Sequence, residues 1–327
     1  MNYRNIAGLN RDIIAWIPKL PRDIDLIVGI PRSGLLVANL LALYLNLPLA
    51  DVESFTNSRI IGSGHRANIE NPVRFFQPKR KVLIIDDSVV TGTEMQRVKK
   101  VIQESNLYHT IYYAAVYLAP GQEDVVDFYY QLVPMPRVFE WNFMHHGDMG
   151  NWCIDIDGVL CRDPTDEEND DGDNYLRFLK TAEPLIIPSL PVGWLITCRL
   201  EKYRQITQEW LRKHGIKYKD LFMMNFPTKE ARITSGSHAS FKATHYKRTS
   251  ANLFIESSLQ QAMEIAKLSR KYVLCTETRD IISPSYIARK IQNQQQIFRL
   301  LLQNPKEIPI KLVRFVSRSF LQLFKNK

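Results

Sequence analysis

Cysteine is scarce in this sequence: Cys153, Cys161, Cys198 and Cys275 are the four in 327 residues. That is too few for a disulfide framework in a chain this long, and no C-x-x-C pair points to zinc. Long apolar runs are missing too. No stretch of 18 apolar residues occurs, which argues against a membrane-spanning helix. The N-terminal MNYRNIAGLNRDIIAWIPKL lacks the unbroken apolar centre of a signal peptide. No short-period repeat is present. A reducing cytoplasm is the expected compartment. Composition is ordinary for a globular chain, with 45% hydrophobic and 24% charged residues, so wholesale disorder is excluded. At about 100–200 residues per domain, the length predicts two domains. Lys and Arg (43) exceed Asp and Glu (34) by 9. That surplus favours anionic partners: phosphate esters, nucleic acid or acidic lipid.

Apolar strand-like runs alternate with helical patterns over the first half. Residues 25–30, 81–85 and 110–118 read as strands; 35–45 and 93–105 read as helices. The pattern restarts near residue 150. Strands are expected at 152–156, 193–197 and 252–255, helices at 203–214 and 260–269, and an apolar run at 185–190. Strands separated by helices imply parallel sheets covered on both faces. The expected fold class is α/β, two Rossmann-like parallel-sheet domains in tandem with a helical tail. The boundaries are 1–148, 149–284 and 285–327, with a linker at 144–148. The tail is basic and amphipathic. Residues 306–327 carry six basic residues and one acid.

Residues 82–93 read VLIIDDSVVTGT. An apolar strand delivers Asp86 and Asp87 to a hydroxyl- and glycine-containing loop that opens a helix. Such a loop aims backbone N–H groups and hydroxyls at a phosphate. Two carboxylates before it suit the vicinal hydroxyls of a sugar or a hydrated Mg²⁺. The string resembles the signature of the type I phosphoribosyltransferases. The resemblance covers about residues 10–120 and implies the phosphoribosyltransferase fold. It implies that Asp86 and Asp87 hold the ribose hydroxyls and Mg²⁺ of phosphoribosyl pyrophosphate. Ser88, Val89, Val90, Thr91, Gly92 and Thr93 would hold the 5-phosphate. In VGIPRSG, Arg32, Ser33 and Gly34 take the position of the pyrophosphate loop. A basic loop, RIIGSGHR, supplies Arg59, Gly62, Ser63, Gly64, His65 and Arg66. Arg32, with Arg59 or Arg66, would stabilise the departing pyrophosphate. The family inverts the anomeric carbon, so a β-ribofuranosyl 5-phosphate is expected.

Residues 152–160 read WCIDIDGVL. Asp155 and Asp157, two apart at a strand end, share a side. Asp155 can attack phosphorus while Asp157 donates a proton to the leaving oxygen. An anionic nucleophile meeting an anionic phosphate implies Mg²⁺. This half resembles the haloacid dehalogenase-like phosphatases over about residues 150–280. The resemblance assigns Thr197 (GWLIT) and Lys242 to the phosphate, with Lys247 as the alternative lysine. It assigns Asp155, Asp157 and Glu256 to Mg²⁺. The position after Glu256, often Asp in the family, is Ser257. The acidic stretch DPTDEENDDGD is expected to be a mobile loop. No inserted cap of ~100 residues fits, so the site is expected to be open to a large substrate.

A transferase joined to a phosphatase implies that 5-phosphoribosyl is installed and its phosphate then removed. The pair resembles the modules of bacterial polysaccharide pathways that make ribofuranose. That resemblance implies a glycan acceptor; the basic amphipathic tail suits the anionic inner face of the membrane, where lipid-linked glycans are assembled. The aromatic segment 138–146, VFEWNFMHH, suits a sugar site. Nucleic acid is not an expected partner. Two alternatives stand beside this reading: a nucleobase phosphoribosyltransferase joined to a nucleotide phosphatase, and a non-catalytic nucleotide-sensing regulator.

Overall fold

The computed structural model describes residues 1–63 and 72–284. Gly64, His65 and Arg66 of the basic loop, and the tail 285–327, lie outside the described residues. The chain forms two units, Met1–His146 and Gly147–Lys327.

The first unit holds β1 (Asn2–Arg4), β2 (Leu26–Gly29), β3 (Leu49–Asp51), β4 (Lys81–Val89), β5 (Thr110–Leu118), β6 (Phe128–Leu132) and β7 (Arg137–Phe139). Five strands make a sheet in the order β3-β2-β4-β5-β6, with every pair parallel. Successive strand residues face opposite sides, and both sides are buried. Ile27, Leu83 and Ile85 pack beneath helices Ile6–Trp16 and Ser33–Leu45. Leu26, Val28, Val82 and Ile84 pack against Met95, Val98 and Ile102 of helix Thr93–Glu104. Continuous apolar runs are what two covered faces require. β7 pairs in parallel with β1 as a separate two-stranded ribbon.

The second unit holds β8 (Trp152–Ile154), β9 (Val192–Leu200), β10 (Tyr218–Met224), β11 (Leu253–Glu256), β12 (Tyr272–Cys275) and β13 (Asp280–Ile282). Their order is β10-β9-β8-β11-β12-β13. All pairs are parallel except the last, which is antiparallel. In both sheets the winding reverses at one place, between β2 and β4 and between β8 and β11. Ligands of open parallel sheets bind at the carboxyl ends of strands at such a reversal.

Two local expectations are corrected. The strand expected at 81–85 runs on through the acid pair, because β5 supplies partners opposite Asp86, Ser88 and Val89. Ser88 and Val89 are therefore strand residues, and the loop proper is Val90, Thr91 and Gly92. The strand at 152–156 ends at Ile154, which places Asp155 and Asp157 in the turn beyond it. The run at 185–190 forms no strand. Pro188 and Pro191 remove ladder donors, and Leu185, Ile186 and Leu190 stay exposed.

Candidate active sites

In the first unit the turn from β2 into helix Ser33–Leu45 lies against β4. Ile30 N donates to Ile85 O at 2.9 Å. A Cβ on Gly34 would lie 2.8 Å from Ile85 O and 3.0 Å from Asp86 Oδ1, so only glycine lets the helix start touch the acid pair. Ser33 Oγ donates to Asp87 Oδ1 at 2.6 Å. Trp141 Nε1 donates to Asp87 Oδ2 at 2.8 Å, and Asp87 N donates to Asp86 Oδ1 at 2.8 Å. Asp87 is buried. Burial first, and then the neighbouring Asp87, pushes Asp86 up to about 8. A crowded carboxylate pair of this kind is relieved by further positive charge or hydroxyl donors, as a cation or a sugar diol would bring.

The phosphate-loop residues Val90, Thr91 and Thr93 are exposed. Gly92 caps helix Thr93–Glu104 at φ +77°, a backbone angle suited to glycine. The Thr91 and Thr93 hydroxyls lie 2.9 Å apart beside the free N–H groups of the helix start. Arg32 is exposed at the head of the Ser33–Leu45 turn, and Arg59 and Gly62 are exposed on their loop. Two residues were not singled out from the sequence. Trp141 stacks on Phe139, with centroids 4.7 Å apart and planes 4° from parallel. Arg137 is buried, with both Nη atoms unpartnered among the described residues. Burial lowers its pKa, while Asp87 and Asp86 oppose that shift.

In the second unit Asp155 leaves β8 and is buried. Its Oδ1 accepts from Ile156 N at 2.8 Å, and its Oδ2 accepts from Lys242 Nζ at 2.5 Å. Lys242 also donates to Glu256 Oε2 at 2.7 Å and to Gln261 Oε1 at 3.0 Å. Lys242 is buried in the cleft, whereas Lys247 is exposed. Burial works against the Lys242 charge, but Asp155 and Glu256 outweigh it and hold the ammonium above the usual lysine range. Two carboxylates share one ammonium, and burial pushes Asp155 up to about 7 against the pull of Lys242. Thr197, on β9, is fully buried and lines the same cleft as Asp155, Asp157, Lys242 and Ser257. Ser257 packs on the Gly158 turn, where a Cβ on Gly158 would lie 2.4 Å from Ser257 Oγ.

Asp157 meets an arginine that was not singled out from the sequence. Arg199 grips it with two nitrogens, Nη2 to Oδ1 at 2.6 Å and Nε to Oδ2 at 3.1 Å. The acidic stretch is not a free loop. Glu168 forks onto Arg162 with both contacts at 2.6 Å. Asp170 accepts from Gly172 N and Tyr175 N. Asp171 accepts from Tyr203 Oη and Lys202 Nζ. Glu168, Asp170 and Asp171 thus fasten the segment, and its Asp163 and Asn169 line the cleft.

Among the described residues no group of three His, Cys, Asp or Glu side chains is arranged to hold a metal ion. The donors are nonetheless of the kind a hard cation takes. Asp163 is pushed up by burial and by Asp157 and Glu256, a crowding of carboxylates that added positive charge relieves. Lys242→Met is expected to leave Asp155 and Glu256 facing each other without a counter-charge. The loss should be about 3–5 kcal/mol, read as a fall in the denaturant midpoint.

The Phosphoribosyl transferase domain family matches residues 2–146. Adenine phosphoribosyltransferase of Mesomycoplasma hyopneumoniae (strain 7448) is 31% identical over 121 residues, 32% of this chain and 69% of that protein. Amidophosphoribosyltransferase of Synechococcus elongatus is 29% identical over 97 residues. The match covers 26% of this chain and only 19% of that protein. The crystal structure of purine phosphoribosyltransferase from Pyrococcus horikoshii Ot3 aligns with 43% of this chain and 92% of its own. Its identity is 25% and its TM-score 0.32.

Proposed function

The chain belongs, through residues 2–146, to the phosphoribosyltransferase family, and from that premise we propose a two-step enzyme. The first unit transfers 5-phosphoribosyl from phosphoribosyl pyrophosphate to an acceptor. The second, read as a haloacid dehalogenase-like phosphatase, removes the 5-phosphate. The observation that carries this reading is the pairing of two strand-end sites on one chain: Ser33, Asp86, Asp87 and Trp141 in one, Asp155, Thr197 and Lys242 in the other.

In the first step Asp86 and Asp87 hold the ribose hydroxyls, and the Val90–Gly92 turn holds the 5-phosphate. Arg32 and the Ser33–Gly34 turn receive the pyrophosphate. The C1–O bond to pyrophosphate breaks, and an acceptor oxygen bonds to C1 from the opposite face as it loses its proton. In the second step an Asp155 oxygen bonds to phosphorus while the bond from phosphorus to the sugar oxygen breaks, that oxygen leaving with a proton from Asp157. Water then cleaves the aspartyl phosphate, with Asp157 placed to take its proton. Mg²⁺, held by Asp86 and Asp87 in one site and by Asp155 and Glu256 in the other, would supply positive charge to the phosphates.

The proposed acceptor is a glycan hydroxyl. Removal of the phosphate leaves plain ribofuranose, and the aromatic segment around Trp141 suits a sugar face. The basic sequence of the tail supports a contact with anionic membrane, where lipid-linked glycans sit. A nucleobase is the second reading, favoured by the adenine-specific name of a relative and by the flat Phe139–Trp141 stack. Incubation with phosphoribosyl pyrophosphate, Mg²⁺ and glycans or nucleobases in separate vessels tests it by mass spectrometry. Ribose is expected on the glycan alone; gain on a nucleobase alone would replace the first reading by the second.

A further inference from the structure

We propose that Arg232 and His238 form the anion-holding wall of the second unit's cleft and take non-bridging oxygens of the phosphomonoester. This rests on reading that unit as a phosphatase. Both residues line the cleft with Asp155 and Thr197. Arg232 belongs to helix Lys229–Thr234, and His238 opens helix His238–Arg248, one turn ahead of Lys242 on the same face. Both hang from the end of β9 that presents Thr197. Arg232 Nη1 donates to Cys198 O at 2.8 Å, and Cys198 Sγ lies 3.9 Å from His238 O, toward which it donates. The Arg232 guanidinium and the His238 backbone are thus held at the end of β9. Arg232 Nε and His238 Nε2 are buried without a partner among the described residues. Buried polar atoms in folded proteins are nearly always paired, and an exception calls for a missing partner.

Charge points the same way. Asp155, Asp157, Asp163 and Glu256 gather at this cleft, and its other cations are already committed. Lys242 bridges Asp155 and Glu256, and Arg199 grips Asp157. A phosphate dianion entering such a cleft meets net repulsion unless another cation faces it. Arg232 makes no ion pair among the described residues, so its charge is available to the ligand. Burial, together with Arg232 and Lys242, lowers the His238 pKa. Its ring therefore enters as a neutral hydrogen-bonding group beside the guanidinium. An arginine with one nitrogen anchored offers its remaining N–H groups in a fixed orientation, as recognition of phosphate oxygens needs.

The test uses the full chain with ribose 5-phosphate as substrate and inorganic phosphate as a binding probe. Arg232→Gln should raise KM about tenfold and weaken inorganic phosphate by a similar factor, with a smaller fall in kcat. His238→Gln should raise KM about threefold. Arg232→Lys should recover part of the loss, and melting temperatures should stay near wild type. If Arg232→Gln binds phosphate and turns over as wild type does, the proposal is overturned even where hydrolysis still depends on Asp155. If phosphate binding depends on Arg232 yet no phosphomonoester is cleaved, the anion wall stands and the phosphatase reading falls.

Discussion

Asp155→Asn is expected to yield a chain that still attaches 5-phosphoribosyl to its acceptor but leaves the phosphate in place. Hydrolysis should fall by about 10⁴-fold or more, because an amide oxygen cannot form the acyl phosphate of the proposed route. The fold should tolerate the change. Asparagine keeps a carbonyl for the Lys242 contact and removes one of two carboxylates sharing that ammonium. Mass spectrometry should show the phosphorylated product accumulating, with transfer within about twofold of wild type. If the phosphate still disappears, the nucleophile lies elsewhere.

The acid pair of the first unit gives the complementary result. Asp86→Asn combined with Asp87→Asn should lower transfer by about 10³-fold or more while phosphatase activity is retained. Loss of both activities would contradict separate sites. The single change Asp86→Asn should also alter stability in a pH-dependent way. Folding raises the Asp86 pKa to about 8, through burial and the adjacent Asp87, so the folded state binds a proton that the unfolded state gives up from about pH 4. The stability this side chain contributes is whole below pH 4 and is lost as pH rises through 8. Asparagine does not titrate. The variant should therefore melt higher than wild type at pH 8, with the gap closing toward pH 4. Calorimetry of the ligand-free protein at both pH values checks this; a gap that widens on acidification would overturn the assignment. Stability given up at a working acid pair is a common price of function.

The central strands and both acid motifs were legible because buried parallel strands are unbroken apolar runs and their ends carry the chemistry. The edges were not. β3 and β13 have three residues each, too few for a period to show, and the antiparallel turn of β13 leaves no mark in composition. Helix Ile6–Trp16 buries only Leu9, Ile13 and Trp16, a stripe lost in a polar N-terminus. Arg199 was within reach: it stands two residues after Thr197 on β9, and alternation puts both on one side. Arg232 and His238 had no such signal, since they meet the cleft from a separate pair of helices. The fastening of the acidic segment was hidden for another reason. A block of carboxylates reads as repulsive until Arg162, Lys202 and Tyr203 are seen to meet it.

The hydrogen bond from the Trp141 indole to Asp87 gives the chain an optical gauge. Trp16, Trp152 and Trp210 are sealed in cores, whereas Trp141 and Trp194 are half-buried, and the Trp141 nitrogen is tied to the carboxylate proposed to meet the sugar. Indole emission follows the charge beside the ring. Filling of the proposed ribose pocket is therefore expected to change the emission of Trp141, a signal that needs no label, comes before any bond has changed hands and should vanish in Trp141→Phe.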